Sequence, residues 1–160
     1  MGTMTVRQAI LADLEALVSL FDAHRQFYGR ARDETAVRDF LRARTNHGKS
    51  VLFIAFDGHS PVGFLQLYPR FSSGSLACTF VLNDLFIVEK ACRKGMASQL
   101  MSAAVEFARS LGAVRTSLST ANTNETAQAV CQSAGWTRDG QFCVDDFAIA
   151  AQPLACRAPG

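Results

Sequence analysis

The middle of the chain, from Val51 to Val88, is a run of strand-like segments with helix-like segments on either side of it. Short apolar stretches rich in β-branched and aromatic residues alternate here with turn residues such as Asp57-Gly58, which is typical of a tight hairpin. The predicted strands are Val51 to Phe56, Val62 to Tyr68 and Leu76 to Val88. Pro69 should end the second of these, because proline has no backbone N–H to donate to a neighbouring strand. Consecutive strands joined this closely predict an antiparallel meander.

The flanking segments repeat their apolar residues every three or four positions, which is the period of an amphipathic helix. Two of the predicted helices run from Ala12 to Tyr28 and from Gly95 to Leu111. Between the first of these and the meander, another helix begins after its N-cap Asp33 and ends at Asn46-His47-Gly48. The last helix begins at a capping box formed by Asn122 and Glu125 and ends at Ala134. Further strands are predicted at Thr3 to Gln8, Val114 to Leu118 and Phe142 to Ile149. This order predicts an α/β domain whose mixed, mostly antiparallel twisted sheet is flanked by helices.

The length and composition fit one globular domain. The chain has 160 residues, of which 49% are hydrophobic and 19% are charged, and this excludes disorder and fibrous repeats. We assign the domain to residues 1–151 and expect residues 152–160, which contain two prolines, to form a flexible tail.

The charge, hydropathy and cysteine pattern exclude several functions. A net charge of +2 is too small for a nucleic-acid binder, and no apolar run reaches the roughly 18 residues of a membrane span. The N-terminus lacks the basic and apolar segments of an export signal, so we expect a cytoplasmic protein. The cysteines form no Cys-x-x-Cys pair and none is near a histidine in sequence, so we expect reduced thiols and no metal site.

The segment that carries chemistry lies where the third meander strand leads into a long helix. The connecting loop, Arg93-Lys94-Gly95-Met96-Ala97, is basic and opens directly into that helix. The first turn of a helix presents unpaired N–H groups and positive potential, and Gly95 allows a ligand to approach the backbone. The loop is therefore either a cradle for a pyrophosphate or an ordinary solvated turn. It has neither the Walker spacing nor the glycines of a dinucleotide fingerprint.

These residues resemble the acetyl-CoA loop of the GNAT family of N-acetyltransferases. The family pattern, Arg/Gln-x-x-Gly-x-Gly/Ala, is matched by Gly95 and Ala97. A second family element, Asn-x-x-Ala before a helix that ends in Gly-Phe, is matched by Asn124, Ala127 and Gly135-Trp136. The resemblance extends over nearly the whole chain, because the predicted order of elements is also that of the family.

The resemblance implies a binding site for acetyl-CoA as cosubstrate. Loop amides would hold the pyrophosphate, and backbone N–H groups around Ile87 and Val88 would polarise the thioester carbonyl. Asn124 is either a capping residue or a contact to the CoA arm. The residues assigned to acetyl-CoA are Phe86, Ile87, Val88, Arg93, Lys94, Gly95, Met96, Ala97 and Asn124.

Two positions depart from the family pattern. The arginine or glutamine that precedes the loop glycine by three residues is Cys92 here, and Arg93 would partly compensate for it. The tyrosine that commonly protonates the departing CoA thiolate is Cys131 here. Cys131 is therefore either a buried structural cysteine or the substitute acid.

Asp84 is the candidate catalytic base. A regular strand would place it on the side of Phe80, Leu82, Phe86 and Val88, where an unpartnered carboxylate costs several kcal/mol. Either a β-bulge turns Asp84 to solvent, or Asp84 lines the cleft, attracts a cationic amine and removes its proton directly or through water.

The sequence thus predicts an enzyme that transfers acetyl from acetyl-CoA to a primary amine of a small molecule by direct attack in a ternary complex. Gly63-Phe64-Leu65 and the stretch from Asn83 to Ile87 look most like the diamine and polyamine acetyltransferases, which carry an acidic pair where this chain has Asn83-Asp84. The resemblance also implies a possible homodimer. The alternatives are an acetyltransferase acting on protein or peptide amines and a catalytically impaired module that binds CoA.

Overall fold

The computed structural model describes residues 2–149, and its helices and strands follow the predicted order up to the last strand. Short 3-10 turns precede the first helix at Leu11–Asp13 and precede the third at Glu89–Ala91. In chain order the elements are β1 (Met4–Gln8), α1 (Leu14–Phe27), α2 (Glu34–Asn46), β2 (Val51–Asp57), β3 (Ser60–Ser72), β4 (Ala77–Ile87), α3 (Met96–Ser110), β5 (Thr116–Leu118) and α4 (Glu125–Ser133).

The strands form one mixed sheet in the order β1-β2-β3-β4-β5. The first four are antiparallel to their neighbours, whereas β5 runs parallel to β4 and pairs with it only from Phe80 to Leu82. A parallel neighbour requires a crossover connection, which α3 provides here. The predicted α/β fold with a mixed, mostly antiparallel sheet is confirmed.

Helices cover both faces of this sheet. On the first, which we call the α1 face, Leu17 and Phe21 of α1 and Leu41 of α2 are buried in one apolar cluster with strand residues. On the second, the α3 face, Leu100 and Ala104 of α3 are buried in another. Asp33 caps α2 as predicted, because its side chain accepts a hydrogen bond from the amide of Ala36 at 3.0 Å. Between residues 2 and 149, no helix is long and apolar enough to cross a membrane.

The return strand β3 does not end at Pro69, as the sequence predicted, but continues to Ser72. Pro69 lies opposite Phe80 of β4. Strand β2 pairs with β3 only as far as Leu67, so beyond that point β3 has a neighbour on one side only. A proline is compatible with a strand at such an edge, because the N–H that it lacks is not needed for a second ladder.

The predicted last strand, Phe142 to Ile149, is wrong, because these residues form no strand in the described part of the chain. Their apolar side chains are exposed, with Phe147 at 93% and Ile149 at 87% of the full accessible area. The alternation of apolar residues breaks its phase at Asp145-Asp146, and β5 offers an edge of only three residues. A period-two pattern alone therefore did not suffice for pairing.

Candidate active site

A β-bulge in β4 decides where Asp84 points. Gln66 of β3 lies opposite Asp84 and the next residue, Leu67, lies opposite Leu82, so Asn83 is an extra residue in β4. Because side chains alternate between the faces of a sheet, the extra residue reverses the alternation. Leu82 packs on the α3 face, and Leu85 after the bulge packs there too.

Asp84 consequently lies on the α1 face with Phe86, which packs against the apolar cluster of that face. The prediction that Asp84 shares a side with Phe86 is correct, but Phe80 and Leu82 are on the opposite side. The bulge that was considered as a way to expose Asp84 is present. It instead turns the carboxylate into a cleft, where the Asp84 side chain is 17% exposed.

This cleft has a volume of about 340 Å³ and lies between α1, α2 and strands β3 and β4. Aromatic rings form part of its walls, and three of its polar side chains, those of His24, Gln66 and Asn83, contact Asp84. We call it the substrate cleft, and it is lined by Phe21, His24, Arg25, Ala36, Val37, Phe40, Gln66, Tyr68, Asn83 and Asp84.

Asp84 is held by neighbouring donors within the cleft. Its Oδ2 accepts hydrogen bonds from Gln66 Nε2 at 2.8 Å and from Asn83 Nδ2 at 3.1 Å, and His24 Nε2 lies 3.5 Å from its Oδ1. Burial raises the pKa of Asp84, but the hydrogen bonds from His24, Asn83 and Gln66 together outweigh burial and hold this pKa below the usual aspartate range. The cleft therefore contains a carboxylate that is ionised at neutral pH.

Sequence reasoning did not select His24 or Gln66, and the fold brings both to Asp84. The imidazole of His24 packs edge-on against Phe64 and Tyr28. One signal was available, because His24 follows Phe21 by three residues and precedes Tyr28 by four, which places it on the apolar face of α1. Gln66 lies within the apolar run of β3, which indicated that its side chain is buried. Nothing in the sequence showed that Gln66 contacts Asp84.

The pKa of Tyr68 is affected by the negative charge of Asp84 in the cleft. Burial, and then the negative charge of Asp84, raise the pKa of Tyr68, while Arg44 partly offsets them. The guanidinium carbon of Arg44 lies 3.7 Å from the ring centroid of Phe40, which lines the cleft. A positive group therefore stands beside the aromatic wall, opposite in sign to Asp84.

The basic loop has the backbone geometry that an anion cradle needs. Arg93 and Gly95 both adopt left-handed conformations, with φ of 63° and 78°, and Gly95 is the N-cap of α3. No side chain caps α3, so the amides of Met96, Ala97 and Ser98 have no partner within the helix. Arg93, Lys94 and Gly95 are exposed, whereas the side chain of Met96 is buried in the core. Only the backbone of Met96 is therefore available to a ligand.

The end of β4 presents one outward-pointing amide beside this loop. The N–H of Val88 donates to the carbonyl of Val62 at 2.8 Å, so it is engaged within the sheet. Bonded and non-bonded pairs alternate along an antiparallel ladder, and Gly63 lies opposite Ile87, so the N–H of Ile87 points away from β3. Strand β5 runs alongside β4 only from Phe80 to Leu82 and does not reach Ile87. Of the two predicted amides, that of Ile87 is thus the one directed out of the sheet.

Comparison with known proteins identifies the family. Residues 17–136 match the sequence profile described as the acetyltransferase (GNAT) family. The chain belongs to this family. It is 39% identical over 139 residues to the uncharacterized N-acetyltransferase YhfO of Bacillus subtilis, covering 87% of this chain and 93% of that protein. The protein is therefore an acetyl-CoA-dependent acetyltransferase.

Solved structures agree with this assignment. The crystal structure of a probable acetyltransferase superposes with a TM-score of 0.87 at 37% identity, over 92% of this chain and 99% of that one. An aminoglycoside N-acetyltransferase, AAC(6')-Iy, in complex with CoA has a TM-score of 0.78 at 19% identity, covering 94% and 97%, and shares the fold alone. The resemblance inferred from the sequence is confirmed for the family. The names of the closer relatives specify no diamine or polyamine.

The residues present fit acetyl-CoA. The uncapped first turn of α3 offers amides to a pyrophosphate, and its left-handed N-cap Gly95 leaves open space where a side chain would stand. The thiol of Cys92, at the position where the family has arginine or glutamine, donates to the carbonyls of Val88 and Ile87 at 3.5 and 3.7 Å. Cys92 therefore ties the loop to the end of β4, and positive charge in the loop comes from Arg93 and Lys94.

Helix α4 of the acetyltransferase carries the last two predicted residues. Asn124, and not Asn122, is its N-cap, because Asn124 Oδ1 accepts a hydrogen bond from the amide of Ala127 at 3.1 Å. Cys131 is half-buried and packs against the apolar cluster of the α3 face. The structure thus places Asp84 and Cys131 on opposite faces of the sheet. Within residues 2–149, no group of His, Cys, Asp and Glu side chains is arranged to hold a metal ion.

Proposed function

We propose that this acetyltransferase transfers the acetyl group to a primary amine of a small molecule that binds in the substrate cleft. The observation that carries this proposal is the ionised Asp84 carboxylate in a cleft of about 340 Å³ that is also lined by the rings of Phe21, Phe40 and Tyr68. A carboxylate attracts a cationic amine, and aromatic walls favour the remainder of a small organic molecule. A peptide would need an open groove, whereas this cleft lies between two helices and the sheet.

In the proposed mechanism the amine attacks the thioester directly while both substrates are bound. Acetyl-CoA supplies the activated acetyl group. The amides of Met96 and Ala97, with Arg93 and Lys94, bind the pyrophosphate, and Asn124 contacts the CoA arm. The outward N–H of Ile87 binds the carbonyl oxygen on which negative charge develops. The proposed roles of the loop and of Ile87 are supported by the uncapped first turn of α3, the exposure of Arg93 and Lys94, and the outward direction of the Ile87 N–H.

Asp84 binds the amine as a cation and keeps it in place. Because the pKa of Asp84 is lowered, its carboxylate is better suited to holding an ammonium group than to removing its proton directly. We therefore propose that the proton leaves through water. Cys131 is proposed to protonate the departing CoA thiolate, since a thiol and a thiolate leaving group have similar proton affinities.

The positive charges in and beside the cleft do not favour a diamine or polyamine as the substrate. Arg25 lines the cleft, although Asp22 pairs with it, and Arg44 stands over Phe40. A second ammonium group would approach these guanidinium groups. The same reasoning applies to aminoglycosides, which carry several ammonium groups. We place monoamines ahead of both classes.

An amine panel tests the proposed function. Purified protein is incubated with acetyl-CoA and equal concentrations of an arylalkyl monoamine, an aliphatic diamine, an aminoglycoside and a lysine-containing peptide, and released CoA thiol is measured. We expect the highest kcat/KM with the monoamine. Binding of acetyl-CoA by calorimetry without thiol release for any amine would instead identify an impaired CoA-binding module. Preference for the peptide would identify a protein-directed enzyme.

We also propose a cytoplasmic protein that forms a homodimer. The four cysteines within residues 2–149 are free thiols, which suits a reducing compartment. The exposed apolar side chains between Phe142 and Ile149 offer a surface that a second copy would cover. Light scattering measures the mass in solution directly, and cell fractionation measures the location.

A further inference from the structure

Gln66 has a buried hydrogen-bond acceptor without a partner in the wall of the substrate cleft. Its side chain is fully buried, and its Oε1 has no hydrogen-bond partner within the described structure. An unpaired buried carbonyl loses the hydrogen bonds that it made with water, so such groups are rare and call for an explanation. An apolar residue at this position would avoid that cost.

The orientation of the Gln66 amide follows from Asp84. Gln66 Nε2 donates to Asp84 Oδ2 at 2.8 Å, across the pair of residues that precedes the bulge. Rotating the amide by 180° would bring Oε1 against the carboxylate, so that two acceptors would face each other. The free acceptor of Gln66 is therefore Oε1, next to the carboxylate of Asp84.

The two oxygens of Asp84 are not equally engaged. Oδ2 accepts two hydrogen bonds, whereas the contact of Oδ1 within the described residues is the one with His24, which at 3.5 Å is the longest of the three and leaves room for a further donor. Two neighbouring acceptors, Gln66 Oε1 and Asp84 Oδ1, thus remain for a donor that enters the cleft.

We propose that Gln66 is a specificity-determining residue, and that Gln66 Oε1 and Asp84 Oδ1 together form the seat for the substrate's amino group. This inference rests on the proposed function. After the bound ammonium group has lost a proton to water, the neutral primary amine has two N–H donors and one lone pair. When one N–H points to each acceptor, the lone pair is left to attack the thioester carbonyl. A secondary amine has a single N–H and leaves one acceptor unpaired, so the seat selects primary amines.

The test compares a primary amine with its N-methyl derivative. The probes are aniline and N-methylaniline, which are uncharged at neutral pH and have two N–H donors and one, respectively, and their dissociation constants are measured by calorimetry with CoA present, so that no transfer takes place. The wild-type protein should bind the primary amine more tightly. Gln66→Met, which conserves shape but lacks the acceptor, should reduce this preference about fivefold, the factor that one neutral hydrogen bond contributes.

Two further variants separate recognition from structure. Gln66→Glu, whose carboxyl would hold a proton because the Asp84 carboxylate lies beside it, keeps both a donor to Asp84 and an acceptor oxygen at the same reach, and should retain the preference for the primary amine. Gln26→Met is the matched control, because Gln26 Nε2 also donates to an aspartate, Asp22, at 3.0 Å but Gln26 does not line the cleft. It should leave the ratio of the two affinities unchanged. A purely structural role of Gln66 would weaken both probes equally.

The seat is overturned if Gln66→Met keeps the wild-type ratio, or if the wild-type protein binds the two probes equally or does not bind the primary amine at all. The wild-type comparison needs no variant, so it decides the question even if Gln66→Met does not fold. CoA release from acetyl-CoA is measured separately. A primary-amine preference without any release would retain the seat and contradict the proposed function, whereas release with an unchanged ratio would do the reverse.

Discussion

Replacing Asp84 by asparagine removes the negative charge of the substrate cleft and keeps the size of the side chain. The Asp84 side chain is 17% exposed and receives its shortest hydrogen bond, 2.8 Å, from Gln66, so an ammonium group bound there is largely shielded from water. Removing one partner of such a buried charge pair costs about 2–5 kcal/mol. At about 1.4 kcal/mol for each factor of ten, kcat/KM for the amine should fall at least about 30-fold.

The dissociation constant of acetyl-CoA should change less than about twofold in the same variant, because the loop that holds it is a separate site. Thiol release measures kcat/KM, and calorimetry measures acetyl-CoA affinity. Asp39→Asn is the matched control, since Asp39 is an exposed acid of α2 outside the cleft lining and should leave both quantities unchanged. An equal loss of acetyl-CoA affinity and amine kcat/KM in Asp84→Asn would show that Asp84 supports the fold and does not bind the amine.

The pH dependence of stability gives an independent check on Asp84. Its folded-state pKa is depressed, so the stabilising contribution of the carboxylate is present above the unfolded-state pKa of about 3.9 and is lost as the pH falls through the folded value. The difference in unfolding free energy between wild type and Asp84→Asn should therefore be constant from neutral pH to about pH 5 and shrink in more acidic solution. Urea titrations across this range measure it. A difference that shrinks between pH 6 and 8 would assign the titration to another group.

Three further predictions concern the loop proposed to bind acetyl-CoA, the packing of β3 on β4, and Cys131. Gly95→Glu adds a negative charge and a side chain at a residue with φ of 78°, and should weaken acetyl-CoA at least about tenfold by calorimetry, while Gly140→Glu in an exposed loop should not. Gly63→Ala would place a Cβ 2.8 Å from the carbonyl oxygen of Phe86, so thermal unfolding should show a loss of about 1–3 kcal/mol in stability. Cys131→Ala should lower kcat without changing acetyl-CoA affinity, because it removes the proposed proton donor. Wild-type turnover would make Cys131 a packing residue only.

The elements that the sequence predicted well are those whose signal is local. Apolar periodicity set α1 and α3 within a few residues, and Asp33 set the start of α2, because a helix makes its hydrogen bonds within one segment. The strand that was wrong, Phe142 to Ile149, depended on a partner edge elsewhere in the chain. The predicted end of β3 at Pro69 was wrong for the same reason. A strand accepts proline where it has a neighbour on one side only, and this depends on where β2 ends.

The candidate site divides in the same way. The loop from Arg93 to Ala97 was recognisable because strand, loop and helix follow one another in sequence. The surroundings of Asp84 were not, because His24, Gln66 and Asp84 come from three separate elements and meet only through the packing of α1 on the sheet. The direction of Asp84 also depended on the register between β3 and β4, which one sequence does not specify.

The extra residue at Asn83 lets β4 place Leu82 and Asp84, which are two positions apart, on opposite faces of the sheet. Deleting Asn83 would make these two residues neighbours, and regular alternation would still leave Asp84 opposite Gln66 and Leu85 on the α3 face. If the bulge closed while Asn83 was retained, Asp84 would instead turn into the apolar cluster of the α3 face, where a carboxylate costs several kcal/mol. In the diversification of this enzyme, the direction of Asp84 therefore depends on whether residue 83 stays outside the regular pairing of β3 and β4. Libraries intended to alter amine specificity should leave position 83 unchanged.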